Sequence, residues 1–351
     1  MEFVYAAAGF LLALVICQAT RRRAEETPRD HGLDIIGDVH GQAGKLERLL
    51  ARMGYEEGER GWSHPTRRAV FVGDLVDGAG PRQVDAVEIA RQMADSGSAL
   101  VIAGNHEFNA VAWYLGVRRD DREDGGEGGK NYKQHRRFLE EVGERSARHG
   151  EIIEWFMSLP LWLEFPSDWL GFGSERGLRI VHACWDASAQ ATLCSEYGTT
   201  PRMSERLVRS ASIEGSREWR AVEHLLKGPE VPVAPAYQDK GGHPRDHARF
   251  RWWDREAGTL DRAVQLPGGT LTAAGAPYPT LPAEPIDPPV PPYSDDEPPV
   301  LYGHYWMTGV TTRTGRRTAC VDYSAGKGGK LVAYRWRGES QFDDSNFVAS
   351  E

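Results

Sequence analysis

Three short apolar runs, each ending in a glycine or alanine-glycine step and then in polar, metal-seeking side chains, constrain this chain more than any other feature. Leu33-Asp34-Ile35-Ile36-Gly37 runs into Asp38-Val39-His40-Gly41-Gln42. Phe71-Val72-Gly73 leads into Asp74-Leu75-Val76-Asp77-Gly78, and Val101-Ile102-Ala103-Gly104 into Asn105-His106-Glu107. A helical pattern follows each run. Ala43, Leu46, Leu49, Leu50 and Met53 keep helical spacing up to a stop at Gly54. Val84, Val87, Ala90 and Met93 do the same after Pro81, a residue suited to a helix start. The third helix runs from His106 to about Leu115. Alternation of strand and helix implies a parallel sheet. In such a sheet the crevice beyond the carboxyl ends of the strands is where sites form. Three consecutive strand ends therefore bring Asp, His and Asn side chains to one place.

Those side chains suit metal ions. Carboxylate oxygens mixed with imidazoles favour divalent Mn, Fe or Zn, whereas softer sites need thiolates. Two such ions held roughly 3.5–4 Å apart can clamp both the attacking and the leaving oxygen of a phosphoryl transfer. A ligand shared between them must be an anion with two oxygens, and Asp74 in the middle motif fits that role. Of the 11 histidines, His31, His64, His149, His224 and His243 lie in polar contexts. His135 and His247 read as structural rather than ligating. His40, His106, His182 and His304 stand apart because each follows an apolar run at an expected strand end. One such histidine alone would more often be a core side chain. Four of them, together with Asp38, Asp74, Asp77 and Asn105, argue for a site.

Asp38-Val39-His40-Gly41, Gly73-Asp74-Leu75-Val76-Asp77 and Gly104-Asn105-His106-Glu107 resemble the three signatures of the phosphoprotein phosphatases within the calcineurin-like metallophosphoesterases. Val181-His182-Ala183 and Gly303-His304-Tyr305 continue the resemblance. It implies an α/β fold, a four-layer α-β-β-α sandwich with two mixed sheets. It implies that Asp38, His40 and Asp74 hold a first metal, and that Asp74, Asn105, His182 and His304 hold a second. The implied reaction is hydrolysis of a phosphate ester by a metal-bridging hydroxide. His106 is then the acid beside the leaving oxygen, oriented and kept protonated by Asp77. A serine/threonine phosphatase-like phosphomonoesterase is the leading expectation. A hydrolase of dinucleoside polyphosphates or other small phosphates is the alternative, and a non-catalytic metal-bound binding module a third.

The usual second signature carries an arginine directly after its second aspartate, where it grips phosphate. Here Gly78 takes that place, and the turn is one residue longer. A phosphate dianion needs a cationic or forked donor. Arg82 lies close in sequence; Arg245, Arg249 and Arg251 precede Trp252-Trp253. Arg82, Arg245 and Arg251 are the phosphate-binding candidates.

The rest of the chain frames this domain, which is expected over residues 33–340. Residues Phe3 to Thr20 are 18 consecutive uncharged positions before Arg21-Arg22-Arg23, near the lower limit for a spanning helix. Arginines on the C-terminal flank place the remainder of the chain on the cytoplasmic side. The expectation is a membrane anchor at residues 1–23 and a polar linker at 24–32, with a purely cytoplasmic protein as the alternative. A mobile surface loop is expected at 118–130. Tyr132–Val142 and Glu151–Leu159 read as helices, and Pro160–Phe165 and Leu178–His182 as neighbouring strands. Between Gly228 and Pro299 lie 15 of the 21 prolines, which predicts an irregular, extended insertion. Val300–His304, Thr318–Asp322 and Leu331–Trp336 read as strands of the second sheet, and 341–351 as a tail. A net charge of −9 without a long basic block disfavours nucleic acid as the main partner. The expected partner is a phosphorylated protein or small molecule. Four cysteines without a C-x-x-C pair fit a reducing compartment.

Overall fold

Side-chain alternation along β1 (Gly32–Ile36) divides the interior in two. In the computed structural model, which describes residues 31–119, 129–167, 176–239 and 242–351, Leu33 and Ile35 join one buried cluster and Ile36 another. The chain continues through α1 (Ala43–Arg52), a hairpin of β2 (Glu56–Gly58) and β3 (Gly61–Ser63), and β4 (Arg67–Phe71). Next come α2 (Gln83–Asp95), β5 (Ala99–Val101) and α3 (Asn105–Tyr114). Helices α4 (Lys130–Val142) and α5 (Ala147–Ser158) lead to β6 (Trp162–Phe165) and β7 (Leu178–Val181). Three helices follow: α6 (Ala187–Tyr197), α7 (Glu205–Ala211) and α8 (Arg217–Lys227). Then come β8 (Glu230–Gln238), β9 (Pro244–Phe250), α9 (Leu260–Ala263) and β10 (Val264–Gln265). The last strands are β11 (Val300–Tyr302), β12 (Thr318–Cys320), β13 (Asp322–Tyr323), β14 (Lys330–Trp336) and β15 (Phe347–Ala349).

Two mixed sheets result. The first has the order β13-β14-β1-β4-β5, with β15 also on β14; β1, β4 and β5 are parallel. The second has the order β12-β11-β7-β6, with β6 antiparallel to the other three. They meet face to face. Leu33, Ile35, Val70, Tyr334 and Trp336 from the first sheet share a cluster with Phe165, Leu178, Ile180, Leu301 and Ala319 from the second. The opposite face of the first sheet, including Ile36 and Phe71, packs on Leu46, Leu49 and Leu50 of α1 and Val87 of α2. The outer face of the second sheet meets Leu193 of α6 and Leu225 of α8. This is the expected α-β-β-α sandwich, and the helices after the three motifs stand where their spacing put them.

Three expectations need correction. β14 belongs to the first sheet, paired antiparallel with β1 from Leu33↔Trp336 to Ile36↔Ala333; alternation shows that a strand has a buried face, but not which sheet it joins. The segment 341–351 is no tail, since Phe342 is 1% exposed and β15 pairs with β14. The first half of the proline-rich region is regular: β10, β9 and β8 form a three-stranded antiparallel sheet in that order. Its prolines are tolerated because Pro232 and Pro235 lie on an edge strand, with a register shift between Pro232 and Tyr237, and Pro244 opens the central strand. Beyond Gln265 the expectation holds better. Residues 266–299 contain no further strand or helix and are stitched by isolated bridges such as Tyr237↔Thr272 and Thr259↔Pro285. The proposed anchor at 1–23 and most of the 24–32 linker and 118–130 loop lie outside the described residues. Among the described residues no helix is long and apolar enough to cross a membrane. Cys184, Cys194 and Cys320 are free thiols.

Candidate metal centre

The turns that leave the strands are held in an unusual backbone conformation. His40, Asp74, Asp77 and His304 have φ of 50°, 52°, 70° and 67°, a region that L-residues enter at a cost and keep only when surrounding structure fixes it. Here the fixing groups are visible. Glu107, fully buried, accepts hydrogen bonds from the backbone N–H groups of Asp74 (2.8 Å), Leu75 (2.8 Å) and Gly104 (2.9 Å). It thereby locks the second motif against the third. Gln83 accepts from the Asp77 N–H (2.5 Å) and donates to the carbonyls of Asp77 and Gly80 (3.2 and 2.7 Å). Close approach also demands glycine. A Cβ on Gly104 would lie 2.2 Å from Asp74 Oδ1, and one on Gly303 would lie 2.1 Å from Asp38 Oδ1.

The side chains converge on Asp74. Its Oδ2 lies 3.8 Å from His40 Nε2, 3.7 Å from His106 Nε2 and 3.4 Å from His182 Nε2. Asn105 Oδ1 is 3.1 Å from His182 Nε2, and the His182 and His304 rings sit 5.1 Å apart. Asp38 accepts from the His304 N–H at 3.1 Å. Two groups of potential ligand atoms emerge, His40–Asp74–His106 and Asp74–His182–His304, each within 4.8 Å of one another. Asp74 is common to both, the position a bridging ligand must take.

Do these residues fit divalent ions? His40 Nδ1 lies 3.1 Å from the Val76 carbonyl and His182 Nδ1 2.7 Å from the Val72 carbonyl. Donation to those carbonyls leaves each Nε2 lone pair facing Asp74, which is how metal-binding imidazoles are oriented. His304 Nε2 is buried without a hydrogen-bonding partner, a costly arrangement unless a ligand completes it. Burial, together with Asp322 and Asp74, raises the Asp38 carboxyl well above the usual range. Burial alone would raise Asp74 too, but His182, His106 and His40 hold it well below that range. A buried mixture of clustered carboxylates and lone-pair imidazoles is a cation site, and the residues fit.

A second constellation flanks it. His106 Nδ1 lies 2.6 Å from Asp77 Oδ2. Burial would lower the His106 imidazole, yet Asp74 and the bond to Asp77 raise it to about 9. Burial likewise opposes ionisation of Asp77, but His135 and His106 bring it down to about 2. The short Asp77–His106 contact favours a protonated ring. His135, read from sequence as structural, is fully buried with Nδ1 2.7 Å from the same Asp77 oxygen. Gln134 Nε2 stands 3.1 Å from His106 Nδ1 and 3.4 Å from Asp77 Oδ2. Neither contact was legible, because α4 lies far from the motifs in sequence. Glu107 could have been found: at N3 of the helix that starts after Gly104, its carboxylate reaches back to the Gly104 N–H, the acidic half of a capping box. Asp322, buried beside Asp38 and accepting from the Trp306 and Ser324 N–H groups, had no such signal.

The arginines divide. Arg82 pairs with Glu47 at 2.9 Å and Asp85 at 2.6 Å. Arg245 holds Glu230 at 2.9 Å, and Arg251 donates to Gln265 at 2.9 Å. Arg249 instead donates to the His304 carbonyl at 3.0 Å and lies over the rings of Tyr305 and Trp306, which puts it at the wall of the metal centre.

Comparison with known proteins shows which family the chain belongs to. Residues 33–186 match the family model described as calcineurin-like phosphoesterase. The asymmetrical bis(5'-nucleosyl)-tetraphosphatase PrpE of Halalkalibacterium halodurans is 33% identical over 229 residues, which cover 56% of this chain and 90% of that protein. A symmetrical bis(5'-nucleosyl)-tetraphosphatase of Vibrio vulnificus is 28% identical over 46% of this chain and 49% of its own length. Among solved structures, a protein serine/threonine phosphatase from Saccharomyces cerevisiae aligns over 92% of this chain and 79% of its own, at 15% identity and a TM-score of 0.48. The chain belongs to the calcineurin-like phosphoesterases. It is a metal-dependent phosphoric ester hydrolase.

Proposed function

We propose that this hydrolase acts on dinucleoside polyphosphates, with Asp38, His40, Asp74, Asn105, His182 and His304 as the metal ligands. The observation that carries the substrate class is the extent of likeness to the Halalkalibacterium tetraphosphatase, nearly the full length of that protein. When bound, two divalent ions supply an activated water and the Lewis acidity that a phosphoryl group needs. The chain's own residues supply the rest. His106, with Nδ1 held by Asp77, presents Nε2 on the Asp74 side and gives its proton to the leaving oxygen. Asp77 fixes the ring and its charge, with His135 and Gln134 fixing Asp77. Arg249 takes the phosphate-binding role in preference to Arg82, Arg245 and Arg251, because its bond to the His304 carbonyl puts it beside a ligand residue, whereas theirs go to Glu47 and Asp85, Glu230 and Gln265.

The three motif signatures favour a second reading, a serine/threonine phosphatase-like phosphomonoesterase. A panel separates the two. Metal-loaded protein is assayed against diadenosine tetraphosphate, a set of phosphopeptides and an aryl phosphate. Diadenosine tetraphosphate is expected to show the highest kcat/KM. A phosphopeptide that exceeds it by tenfold or more would overturn the substrate assignment, and no turnover of any of them would favour a binding module.

The uncharged run from Phe3 to Thr20, followed by three arginines, supports attachment to a membrane with the catalytic domain on the cytoplasmic face. The full chain is expected to sediment with membranes, and a chain starting at Ala24 to remain in the supernatant. Equal partitioning of both would remove the anchor from the account.

A further inference from the structure

Position 78 is not built for a side chain. Gly78 has φ of +71°, and a Cβ there would lie 3.1 Å from His40 Cβ and 3.4 Å from His40 Cγ. The left-handed backbone already disfavours any L-residue. The conformation is imposed from the next turn, where Gln83 holds Asp77 and Gly80, and from α4. Glu141 on α4 accepts the N–H groups of Gln83 and Val84 at 2.7 and 2.9 Å. Arg137 of the same helix reaches the Ala79 carbonyl at 3.4 Å. The face of α4 therefore stands over Gly78. A cavity of about 430 Å³ opens there, lined by Gly78, Lys133, Gln134, Arg136, Arg137 and Glu140. Its lining holds three cations against one carboxylate, and Glu140 is engaged by Arg136 at 2.8 Å. Lys133, Arg136, Arg137 and Glu140 are exposed, so the cavity is an open, polar recess.

Gln134 links this cavity to His106. Gln134 lines it and also lies within 3.1 Å of His106 Nδ1 and 3.4 Å of Asp77 Oδ2. The cavity therefore adjoins the Nδ1 edge of the His106 ring, while Nε2 faces Asp74. We infer that the cavity is a leaving-group subsite for a phosphate-bearing, polyanionic leaving group, with Lys133 and Arg137 as specificity-determining residues. In the step it serves, water oxygen bonds to phosphorus and the bond from phosphorus to the bridging oxygen breaks. The departing oxygen takes the His106 proton, the proton shed by the attacking water restores the ring through solvent, and the further phosphates of the leaving group rest against the α4 cations. A neutral alcohol or peptide leaving group would gain nothing from this surface. The cations thus occupy, one helix away, the space over a glycine that stands where the family signature has an arginine.

This inference deepens the polyphosphate reading and rests on it for the reaction, but its binding half can be read separately. The full chain is titrated calorimetrically with inorganic tripolyphosphate in the presence of a chelator, so that metal contributes nothing. Wild type is expected to bind, and the Lys133→Ala/Arg137→Ala double variant to bind at least ten times more weakly. With metal restored, the double variant should lose kcat/KM on diadenosine tetraphosphate by a similar factor, chiefly through KM, and lose far less on an aryl phosphate. Unchanged tripolyphosphate binding would overturn the subsite, as would equal losses on both substrates. If wild type binds tripolyphosphate through these residues but leaves diadenosine tetraphosphate intact, the subsite stands and the substrate assignment falls.

Discussion

Asp74→Asn is expected to strip the protein of metal and abolish hydrolysis in one step, whereas His106→Asn should leave the metal content intact. The difference comes from where the two side chains stand. Asp74 Oδ2 lies within 3.8 Å of an Nε2 atom on each of His40, His106 and His182, and it is the one residue common to both candidate ligand groups. An amide in its place loses the anionic oxygen that two cations would share. His106 is tied instead to Asp77 at 2.6 Å through Nδ1. In the proposed acid role, losing it deprives the leaving oxygen of its proton, a loss of about 10²–10⁴-fold on an alkyl phosphate, whose leaving oxygen is basic, and less on a polyphosphate. That loss should shrink on an activated aryl phosphate, whose leaving group needs little protonation. Asp77→Asn should resemble a milder His106 variant, because it disturbs the orientation and charge of the ring while the ligands stay in place. Metal content and turnover are measured on the same preparations with two esters of different leaving-group basicity. Because His106 Nε2 also falls in the His40–Asp74 group, the alternative is concrete. If His106→Asn loses metal as completely as Asp74→Asn, His106 is a ligand and the division of labour is wrong.

How much of this was legible depends on the range of each interaction. The residues that meet at the metal centre could be read because every one follows an apolar run, and parallel strands deliver their carboxyl ends to a common edge. The apolar run from Leu33 to Ile36 also read as a strand, although it could not say that β14 rather than a second-sheet strand would lie beside it. Contact across long separations between polar residues without a pattern escaped. His135 and Gln134 reach Asp77 from a helix more than 50 residues away, and nothing local in α4 announces it. Asp322 lies beside Asp38 for the same reason. The proline-rich region misled in a different way. Proline content reports which backbone N–H groups are missing, and on an edge strand such as β8 their absence costs little. Sequence proximity singled out Arg82, which opens α2 and turns to Glu47 and Asp85, while Arg249, more than 160 residues further on, reaches the His304 carbonyl.

Arg67→Leu is expected to cost about 3–5 kcal/mol of stability, the usual consequence of leaving one partner of a buried ion pair behind. The pair sits under the first motif. Asp34 and Arg67 are both wholly excluded from solvent, with Arg67 Nη2 at 2.8 Å from Asp34 Oδ1 and Nε at 3.0 Å from both carboxylate oxygens. The guanidinium also donates to the Leu33 and Trp336 carbonyls at 3.0 and 3.1 Å, so it joins β4, β1 and β14. Leucine would leave those two carbonyls short of a donor and Asp34 with only Arg335 at 3.2 Å and the Tyr55 hydroxyl at 3.1 Å. The double variant Asp34→Leu/Arg67→Leu removes the stranded charge, so it should regain a substantial part of the loss; replacing a buried ion pair by apolar side chains is often close to neutral. Recovery should be incomplete, because Arg335 and Tyr55 then lose their acceptor. Arg335 is partly exposed and can turn to water, whereas the largely buried Tyr55 hydroxyl cannot. Urea denaturation of the wild type, both single variants and the double variant reads these differences as shifts in midpoint at constant slope. A double variant less stable than Arg67→Leu alone would mean that the pair's value lies in the strand-joining hydrogen bonds of the guanidinium and not in the neutralisation of Asp34.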